Sequence, residues 1–249
     1  MSQSKDYIIA GVPVDGLTTI RALEVVTKYL AQKKPAIITT PNSEIIMQAQ
    51  RNEELKNALV YSQLRLADSV GVTWAVRRLY HSRIPRLSGA DFAIDLIKLA
   101  DRNRLKVLLV SRSDGLDPNA SELASQKLAR QYPHAKFAST VFDVHDLSAA
   151  FDNIKQFRSD IILLGLGAPI QEIWSAQIAN RLPQPAIIHC CGGTVDFLAG
   201  IQKRAPKTIR KIGLEWLWRL LIQPKRFLRQ IKLLNFVLLI FRQKRSRKP

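Results

Sequence analysis

The 249-residue chain has few residues of the kinds that cross-link a protein or bind a metal. It contains two cysteines, adjacent at Cys190 and Cys191 in an apolar run, and four histidines that lie far apart. This pattern disfavours both a disulfide framework and a zinc site with ordinary ligand spacing. Small, buried, reduced thiols are the expected state of the cysteine pair. We therefore predict neither a metal site nor a cofactor.

Long apolar runs are also missing. No stretch approaches the roughly 18 uninterrupted apolar residues that a membrane-spanning helix needs. The start, Met1 to Tyr7, lacks the apolar core of a secretory signal. The sequence therefore predicts a cytoplasmic protein, unless its surface binds it to a membrane.

Acidic residues are scarce at the C-terminal end. Residues 201–249 hold 15 Lys or Arg and one acid, Glu215, so they carry +14 of the net charge of +18. Large apolar residues are interleaved with these bases. On a helix, Phe227, Ile231, Leu234 and Leu238 would share one face, and Lys225, Arg229 and Lys232 would occupy another.

Such a basic amphipathic helix suits the surface of an anionic membrane. Two alternatives stay open: the helix docks on the core of the protein, with Trp216, Trp218 and Leu220 packed inward, or the charge binds a nucleic acid. We favour the membrane, on the inner face of the plasma membrane, and no nucleic acid. The predicted division is a core over residues 1–206 and a basic helical appendage over 207–249.

The middle of the chain alternates between two apolar periodicities. Runs of strand length recur at Tyr7–Val12, Ala36–Thr40, Leu105–Ser111, Ile161–Gly165 and Ala186–Cys191. Helical periodicity predicts helices near Thr18–Gln32, Ser43–Tyr61, Val70–His81, Ala90–Arg102, Pro118–Gln131, Leu147–Phe157 and Pro169–Arg181. Thr18 and Ser43 are candidate N-caps. This alternation predicts an α/β fold, with a mostly parallel sheet and helices on both faces.

In such a sheet, ligands bind beyond the carboxyl ends of the strands. The segment Gly165-Leu166-Gly167-Ala168-Pro169 follows an apolar run and opens a helix, where backbone amides and the helix dipole can hold a phosphate. An ordinary tight turn explains the glycines equally well. The dinucleotide fingerprint needs a third glycine where Ile170 stands, so a dehydrogenase is disfavoured.

Two other strand ends carry polar side chains. Asp68 follows the apolar segment Leu64–Ala67 and precedes a helix, where its carboxylate could act as a general base or cap the helix. Thr40 and Asn42 end the second strand and could bind a sugar or a reacting hydroxyl, although Asn42 also suits a turn.

Two reaction classes can be judged from the absence of motifs. Hydrolases of the serine or cysteine type are disfavoured because the chain has no nucleophile elbow with a placed histidine. An Asp-x-Asp pair, which many nucleotide-sugar enzymes use to hold a divalent metal, is also missing. A leaving diphosphate would then need arginines, lysines and backbone amides to stabilise it.

Several blocks of residues stand in a fixed order along the chain. They are Thr40-Pro41-Asn42-Ser43-Glu44, Ala67-Asp68-Ser69-Val70-Gly71, Arg86-Leu87-Ser88-Gly89-Ala90-Asp91, Gly165 to Glu172, Gly192-Gly193-Thr194-Val195-Asp196-Phe197, Arg204-Ala205-Pro206 and Gly213 to Leu220, followed by Pro224, Arg226 and Arg229. They span residues 8 to about 231, and their order is far more specific than any single block. The blocks together resemble the WecG/TagA/CpsF glycosyltransferases, which implies a Rossmann-like fold.

The resemblance implies an inverting, metal-independent transfer of N-acetylmannosamine, or a related sugar, from UDP to a polyprenyl-diphosphate-linked sugar in bacterial surface polysaccharide synthesis. It implies that Asp68 is the general base with Thr40 beside it, and that Arg219, Arg226 and Arg229 reach the diphosphate. Carried over by motif, the remaining substrate-binding candidates are Asn42, Arg86, Gly165, Gly167, Gln171, Gly192, Gly193 and Asp196.

Other functions remain open from the sequence. One is the transfer of another UDP-sugar, such as glucose, in capsule or exopolysaccharide assembly; the other is a non-catalytic nucleic-acid-binding protein that uses the basic tail. Self-association into a homo-oligomer is also left open. Retention on anionic liposomes but not on DNA at matched salt would separate membrane binding from nucleic-acid binding.

Overall fold

A computed structural model describes residues 6–143, 147–182, 184–211, 217–218 and 227–245. Within these ranges a parallel sheet of six strands lies at the centre, in the order β4-β3-β8-β7-β5-β6. Its strands are β3 (Ala36–Thr39), β4 (Leu64–Arg65), β5 (Lys106–Arg112), β6 (Lys136–Phe142), β7 (Ile161–Leu164) and β8 (Ile187–Cys190). The predicted α/β class is confirmed.

Helices cover the sheet. Along the chain they are α1 (Thr19–Ala31), α2 (Ser43–Ala49), α3 (Glu53–Tyr61), α4 (Val70–Tyr80), α5 (Gly89–Arg102), α6 (Ala120–Gln131), α7 (Leu147–Phe157), α8 (Ile170–Arg181), α9 (Thr194–Ala199), α10 (Lys207–Lys211) and α11 (Phe227–Arg245). Strands β3, β7 and β8 are buried along their whole length, because helices pack on both faces. Thr18 caps α1 as predicted, since its hydroxyl accepts from the Arg21 amide.

The first predicted strand, Tyr7–Val12, is wrong. The chain turns back at Ala10 and Gly11, so this region is an antiparallel hairpin of β1 (Asp6–Ile9) and β2 (Val12–Asp15). Both halves of the hairpin contribute apolar side chains to one core cluster. The apolar run has the length of one strand, but a tight turn divides it into two.

The predicted helix Ser43–Tyr61 is two helices. Asn52 breaks the run by capping α3, and its side-chain oxygen accepts from the Leu55 amide. The N-cap of α2 is Asn42, not the predicted Ser43, because Asn42 Oδ1 accepts from the Ile45 amide at 3.0 Å. Asparagine is among the most favoured N-cap residues, and it is the N-cap of both α2 and α3.

Strand β6 was missed because it lies at the edge of the sheet. Among the described strands it pairs with β5 alone, and its side chains are mostly half-buried or exposed. Lys136 and Val141 face solvent, so the continuous apolar run that marked the buried strands is absent here.

The C-terminal helix α11 docks on α2 and α4. Phe236 and Ile240 are fully buried in a cluster with Ile45, Ile46 and Val72. The alternative that the helix docks on the core is therefore confirmed for α11, through Phe236 and Ile240. Trp216 and Leu220, which that alternative packs inward, lie outside the described residues. The division of the chain at residue 206 stays a prediction.

Docking leaves a second apolar face of α11 in solvent. Leu234 and Leu238, both on the predicted apolar face, are 68% and 57% exposed, and Phe241 is 41% exposed. Trp74 of α4 contacts the Phe241 ring in an edge arrangement, and the Arg78 guanidinium lies over the same ring, 5.0 Å from its centroid. Helices long and apolar enough to cross a membrane are absent from the described ranges.

Candidate active site

Four neighbouring strands bring the candidate residues to one edge of the sheet. Because β4, β3, β8 and β7 are adjacent and parallel, their carboxyl ends lie side by side. Asp68 follows β4, Thr40 follows β3, and the glycine turns at Gly192 and Gly165 follow β8 and β7. Residues up to 152 positions apart in sequence thus meet in one place, as α/β folds require of a ligand site.

The Asp68 carboxylate lies at the start of α5. Its Oδ1 accepts from the Gly89 amide at 2.9 Å, and its own amide donates to the Pro41 carbonyl at 3.4 Å. Asp68 therefore caps α5 from outside that helix, where the dipole of a 14-residue helix stabilises a negative charge. The capping predicted for Asp68 concerned the following helix, but Ser69 caps α4 instead.

Gly89 connects Asp68 to two other groups. Its carbonyl lies 2.9 Å from His189 Nε2 in the interior, and a Cβ at this position would lie 3.0 Å from both Thr40 Cγ2 and Thr40 Oγ1. The Thr40 hydroxyl donates to the Cys190 carbonyl at 3.3 Å, and the side chain is almost fully buried. Thr40, Gly89 and Asp68 therefore form one packed unit.

His189 supports this unit from below. The ring is fully buried and contacts Phe92 edge-on, with the centroids 5.7 Å apart. Burial lowers the pKa of His189, so the ring is neutral at pH 7. A neutral buried imidazole is a structural partner of the Gly89 peptide.

The two glycine turns face open space. Gly167 and Gly192 have φ of +75° and +57°, and a Cβ at either position would meet no atom within 4 Å. A left-handed backbone favours glycine and lets a ligand approach the main chain closely. Gly165 anchors its turn through a 2.8 Å bond from its amide to the Val110 carbonyl, and Gly193 begins α9 as its N-cap.

Gln171 joins the two turns from beneath. Its Oε1 accepts from the Gly167 amide at 3.2 Å and from the Gly192 amide at 2.9 Å. Its Nε2 donates to Glu172 Oε1 at 2.8 Å, and both side chains are buried. Burial raises the pKa of Glu172 to about 7, against a smaller lowering by the bond from Gln171.

Ionisable groups flank the glycine turns. Partial burial, followed by the nearby Asp117 carboxylate, raises the pKa of Asp196. At the end of β5, Arg112 donates to the Leu166 carbonyl at 3.3 Å and pairs with Asp114. A guanidinium thus borders the turn that follows β7.

Arg86 lies in a different cluster. It donates to the Arg210 carbonyl, and Arg210 and Arg204 both bind the Asp91 carboxylate at 2.7 Å. Partial burial raises the pKa of Asp91, but the two guanidiniums outweigh burial and hold it below its ordinary value. This ionic cluster ties residues 204–211 to the first turn of α5, next to Gly89.

The tail arginines are described only in part. Arg219 and Arg226 lie outside the described residues, and for Arg229 only the helical backbone is described. Leu233 of α11 lies beside the first turn of α4, because a Cβ at Gly71 would be 3.7 Å from Leu233 Cδ1. Arg229 is four residues earlier, about 6 Å along the helix axis.

Asn42, two residues after Thr40, caps α2 through its side-chain oxygen, as described above.

Sequence reasoning missed three residues of this edge: Gly89, Glu172 and Arg112. Gly89 and Glu172 stand inside blocks that were recognised, whereas Arg112 directly follows a predicted strand, which was a usable signal. Groups of three or more His, Cys, Asp or Glu placed to hold a metal are absent from the described part of the chain.

Comparison with known proteins finds a matching family model and several similar proteins. The model of the glycosyl transferase WecG/TagA/CpsF family matches residues 7–249. Two relatives from Staphylococcus aureus, strains NCTC 8325 / PS 47 and MRSA252, are each 30% identical over 242 residues, which is 96% of this chain and 93% of theirs. Both are named N-acetylglucosaminyldiphosphoundecaprenol N-acetyl-beta-D-mannosaminyltransferase.

Proposed function

Because this chain belongs to the glycosyl transferase WecG/TagA/CpsF family and is a glycosyltransferase, we propose that it transfers N-acetylmannosamine or a related hexose from a UDP-sugar to a polyprenyl-diphosphate-linked sugar. The observation that carries the proposal is the meeting of Asp68, Thr40 and two glycine turns at one sheet edge. The names of the relatives support the acceptor class and the sugar.

Asp68 is the general base of the proposed reaction. Its carboxylate takes the proton of the acceptor hydroxyl while that oxygen forms a bond to the anomeric carbon, and the bond from this carbon to the diphosphate breaks as UDP leaves. Attack opposite the leaving group inverts the anomeric centre. Support comes from the Gly89 amide, which holds one carboxylate oxygen at 2.9 Å and so fixes the direction of the side chain.

Thr40 and Asn42 border the acceptor side of the site. Thr40 follows β3 and Asp68 follows the neighbouring strand β4, and Gly89 contacts both residues. Asn42 follows the same strand end, where its side-chain oxygen caps α2. These contacts support a fixed acceptor pocket, in which small displacements lower the rate.

The donor diphosphate lies on the glycine turns. Gly165, Gly167, Gly192 and Gly193 bring the main chain close to the phosphates, Gln171 holds the turns, and Asp196 lies on the following helix. Cations complete the site: Arg219, Arg226 and Arg229 from the tail, with Arg86 tying the segment before the tail to the core. Guanidiniums and amides stabilise a leaving diphosphate without requiring a metal.

Membrane attachment brings the enzyme to its lipid-linked acceptor. The exposed Leu234, Leu238 and Phe241 of α11 and the +14 charge of residues 201–249 support adsorption to an anionic surface. The proposed location is therefore peripheral, on the inner face of the plasma membrane.

A panel of UDP-sugars tests the function. Release of UDP is measured with a short-chain polyprenyl diphosphate that carries N-acetylglucosamine, and we expect release with UDP-N-acetylmannosamine only when the acceptor is present. The isosteric variant Asp68→Asn keeps an oxygen that can accept from Gly89 but removes the base, so turnover should fall roughly 100-fold or more with UDP binding retained.

Two results would contradict these statements. Transfer from a different nucleotide-sugar alone would reject the proposed donor. Near-normal turnover of Asp68→Asn would leave Asp68 as a cap of α5 and nothing more.

A further inference from the structure

The geometry points to a role for Glu172 that its buried position does not explain by packing alone: we propose that Glu172 is a positioning residue, which orients the Gln171 amide so that one oxygen holds both diphosphate-binding turns in register. This inference rests on the proposed function for the identity of the ligand. The clamp itself is a statement about the protein alone.

A carboxyl group at this place is costly. Glu172 is fully buried, and its Oε2 has no hydrogen-bond partner among the described residues. Removing a carboxyl from water without a compensating cation costs free energy. An apolar side chain of similar volume would pack without this cost, so the carboxyl must supply something that packing does not.

What it supplies is an acceptor for Gln171 Nε2. A glutamine amide can rotate by 180°, which exchanges its oxygen and nitrogen. With the oxygen toward the turns, it accepts from the Gly167 and Gly192 amides; with the nitrogen there, three donors would face one another. The ionised Glu172 carboxylate can only accept hydrogen bonds, so its Oε1, 2.8 Å from Nε2, is satisfied by the first orientation alone.

The clamp joins turns that local structure does not join. Gly167 and Gly192 belong to different strand ends, 25 residues apart in sequence, and both have left-handed backbones facing open space. The backbone N–H of Gln171 also donates to the Gly167 carbonyl at 3.1 Å. The side chain and the main chain of Gln171 therefore both hold the first turn. The Gly192 turn is held to this unit through the Gln171 oxygen.

Two variants separate the acceptor from the volume. Glu172→Gln keeps a carbonyl oxygen for Gln171 Nε2, whereas Glu172→Met keeps the length but offers no comparable acceptor. We expect Glu172→Met to weaken UDP binding roughly 5- to 10-fold, the loss expected for about one hydrogen bond, and Glu172→Gln to bind UDP like the unchanged protein. Equal binding by Glu172→Met and the unchanged protein would overturn the proposal.

A double-variant comparison shows whether Glu172 acts through Gln171. Gln171→Met alone should lose UDP affinity, and adding Glu172→Met should cause no further loss, because the pair acts as one unit. If the two losses multiply instead, Glu172 acts independently of Gln171 and the proposal fails.

Amide hydrogen exchange tests the clamp even if the donor proves not to be UDP. In Glu172→Met, exchange at Gly167 and Gly192 should become faster, while exchange at Gly165, whose amide donates to Val110, should stay unchanged. Unchanged exchange at Gly167 and Gly192 would overturn the clamp. Altered exchange without UDP binding by the unchanged protein would instead reject the proposed donor.

Discussion

Gly89 is the residue on which the proposed acceptor side of the site depends most directly. Its amide holds Asp68, its carbonyl meets His189, and its bare Cα leaves room for Thr40. A general base must be held within a fraction of an ångström to act, and three different chain segments meet at this one peptide.

Gly89→Ala should therefore damage catalysis more than folding. The added Cβ would lie 3.0 Å from Thr40 Cγ2 and Oγ1, so Thr40 must move, while the reduced freedom of the unfolded chain offsets part of the strain. We expect turnover to fall roughly 10-fold with a melting temperature within a few degrees of normal.

The combination of Gly89→Ala with Thr40→Ser checks this cause. Serine removes the methyl group in the tight contact but keeps the hydroxyl, so part of the lost turnover should return. Turnover that stays as low as in Gly89→Ala alone would show that the contact with Thr40 is not responsible.

Glu172 should make stability depend on pH. Burial raises its pKa from 4.5 to about 7, so between these values the folded protein holds a proton that the unfolded chain has released. Stability is therefore lost as the pH rises through this window, by about 3 kcal/mol in all. The neighbouring Cys190 thiol takes no part, because burial raises its pKa well above the ordinary value.

Glu172→Gln removes this titration. Denaturant unfolding of both proteins from pH 4.5 to 8 should show the variant gaining stability relative to the unchanged protein as the pH rises, since the remaining groups are common to both. A constant difference across the range would mean that Glu172 titrates near its ordinary pKa.

At the scale of elements, α11 has one apolar face that packs on the protein and another that is exposed. Phe236 and Ile240 attach the helix to α2 and α4, and Gln243 bonds the hairpin through the Ala10 amide and the Ile8 carbonyl. Leu234 and Leu238 point away from these contacts. A helix held on the protein by one face can present the other to a membrane.

Replacing Leu234 and Leu238 together by serine should weaken binding to anionic vesicles without unfolding the protein. Each replacement removes up to about 1.5–3 kcal/mol that burial of a leucine side chain in the lipid interface contributes to binding. The partition coefficient should therefore fall at least 10-fold. Sedimentation with vesicles measures this, and Asn235→Ser, an exposed change on the same helix, is the matched control. Unchanged sedimentation would leave adsorption to the basic residues alone.

At the scale of the whole molecule, the positive charge is concentrated in the C-terminal segment. Residues 1–200 carry a net +4, and residues 201–249 carry +14. Adsorption driven by this tail should weaken with salt, because ions screen exposed charges beyond about 8 Å at physiological ionic strength. Three of these cations, Arg219, Arg226 and Arg229, are those that the proposed mechanism assigns to the leaving diphosphate.

We accordingly expect turnover to survive exhaustive chelation. With guanidiniums and backbone amides stabilising UDP, removal of divalent cations by EDTA should leave the rate of UDP release within about twofold. A metal-dependent glycosyltransferase in the same buffer is the control for effective chelation. Loss of activity that Mg²⁺ or Mn²⁺ restores would reject the metal-free mechanism.

The sequence by itself determined the class of fold and the places where chemistry is expected. Buried parallel strands read as continuous apolar runs, and helices such as α1 carry their own caps, so both are local signals. The motif blocks also located Asp68, Thr40 and the glycine turns, because residues after strands are the ones that a parallel sheet brings to its functional edge.

Tertiary structure decided what lies next to what. The order of the strands, the Gly89 amide on Asp68, the two turns on one Gln171 oxygen and the burial of Phe236 all join segments distant in sequence, which no local pattern encodes. For the same lack of a local signal, the hairpin at Ala10 was predicted as one strand and the edge strand β6 was missed. Whether an apolar run turns back or a half-polar run pairs as a strand depends on the partners that the folded chain provides.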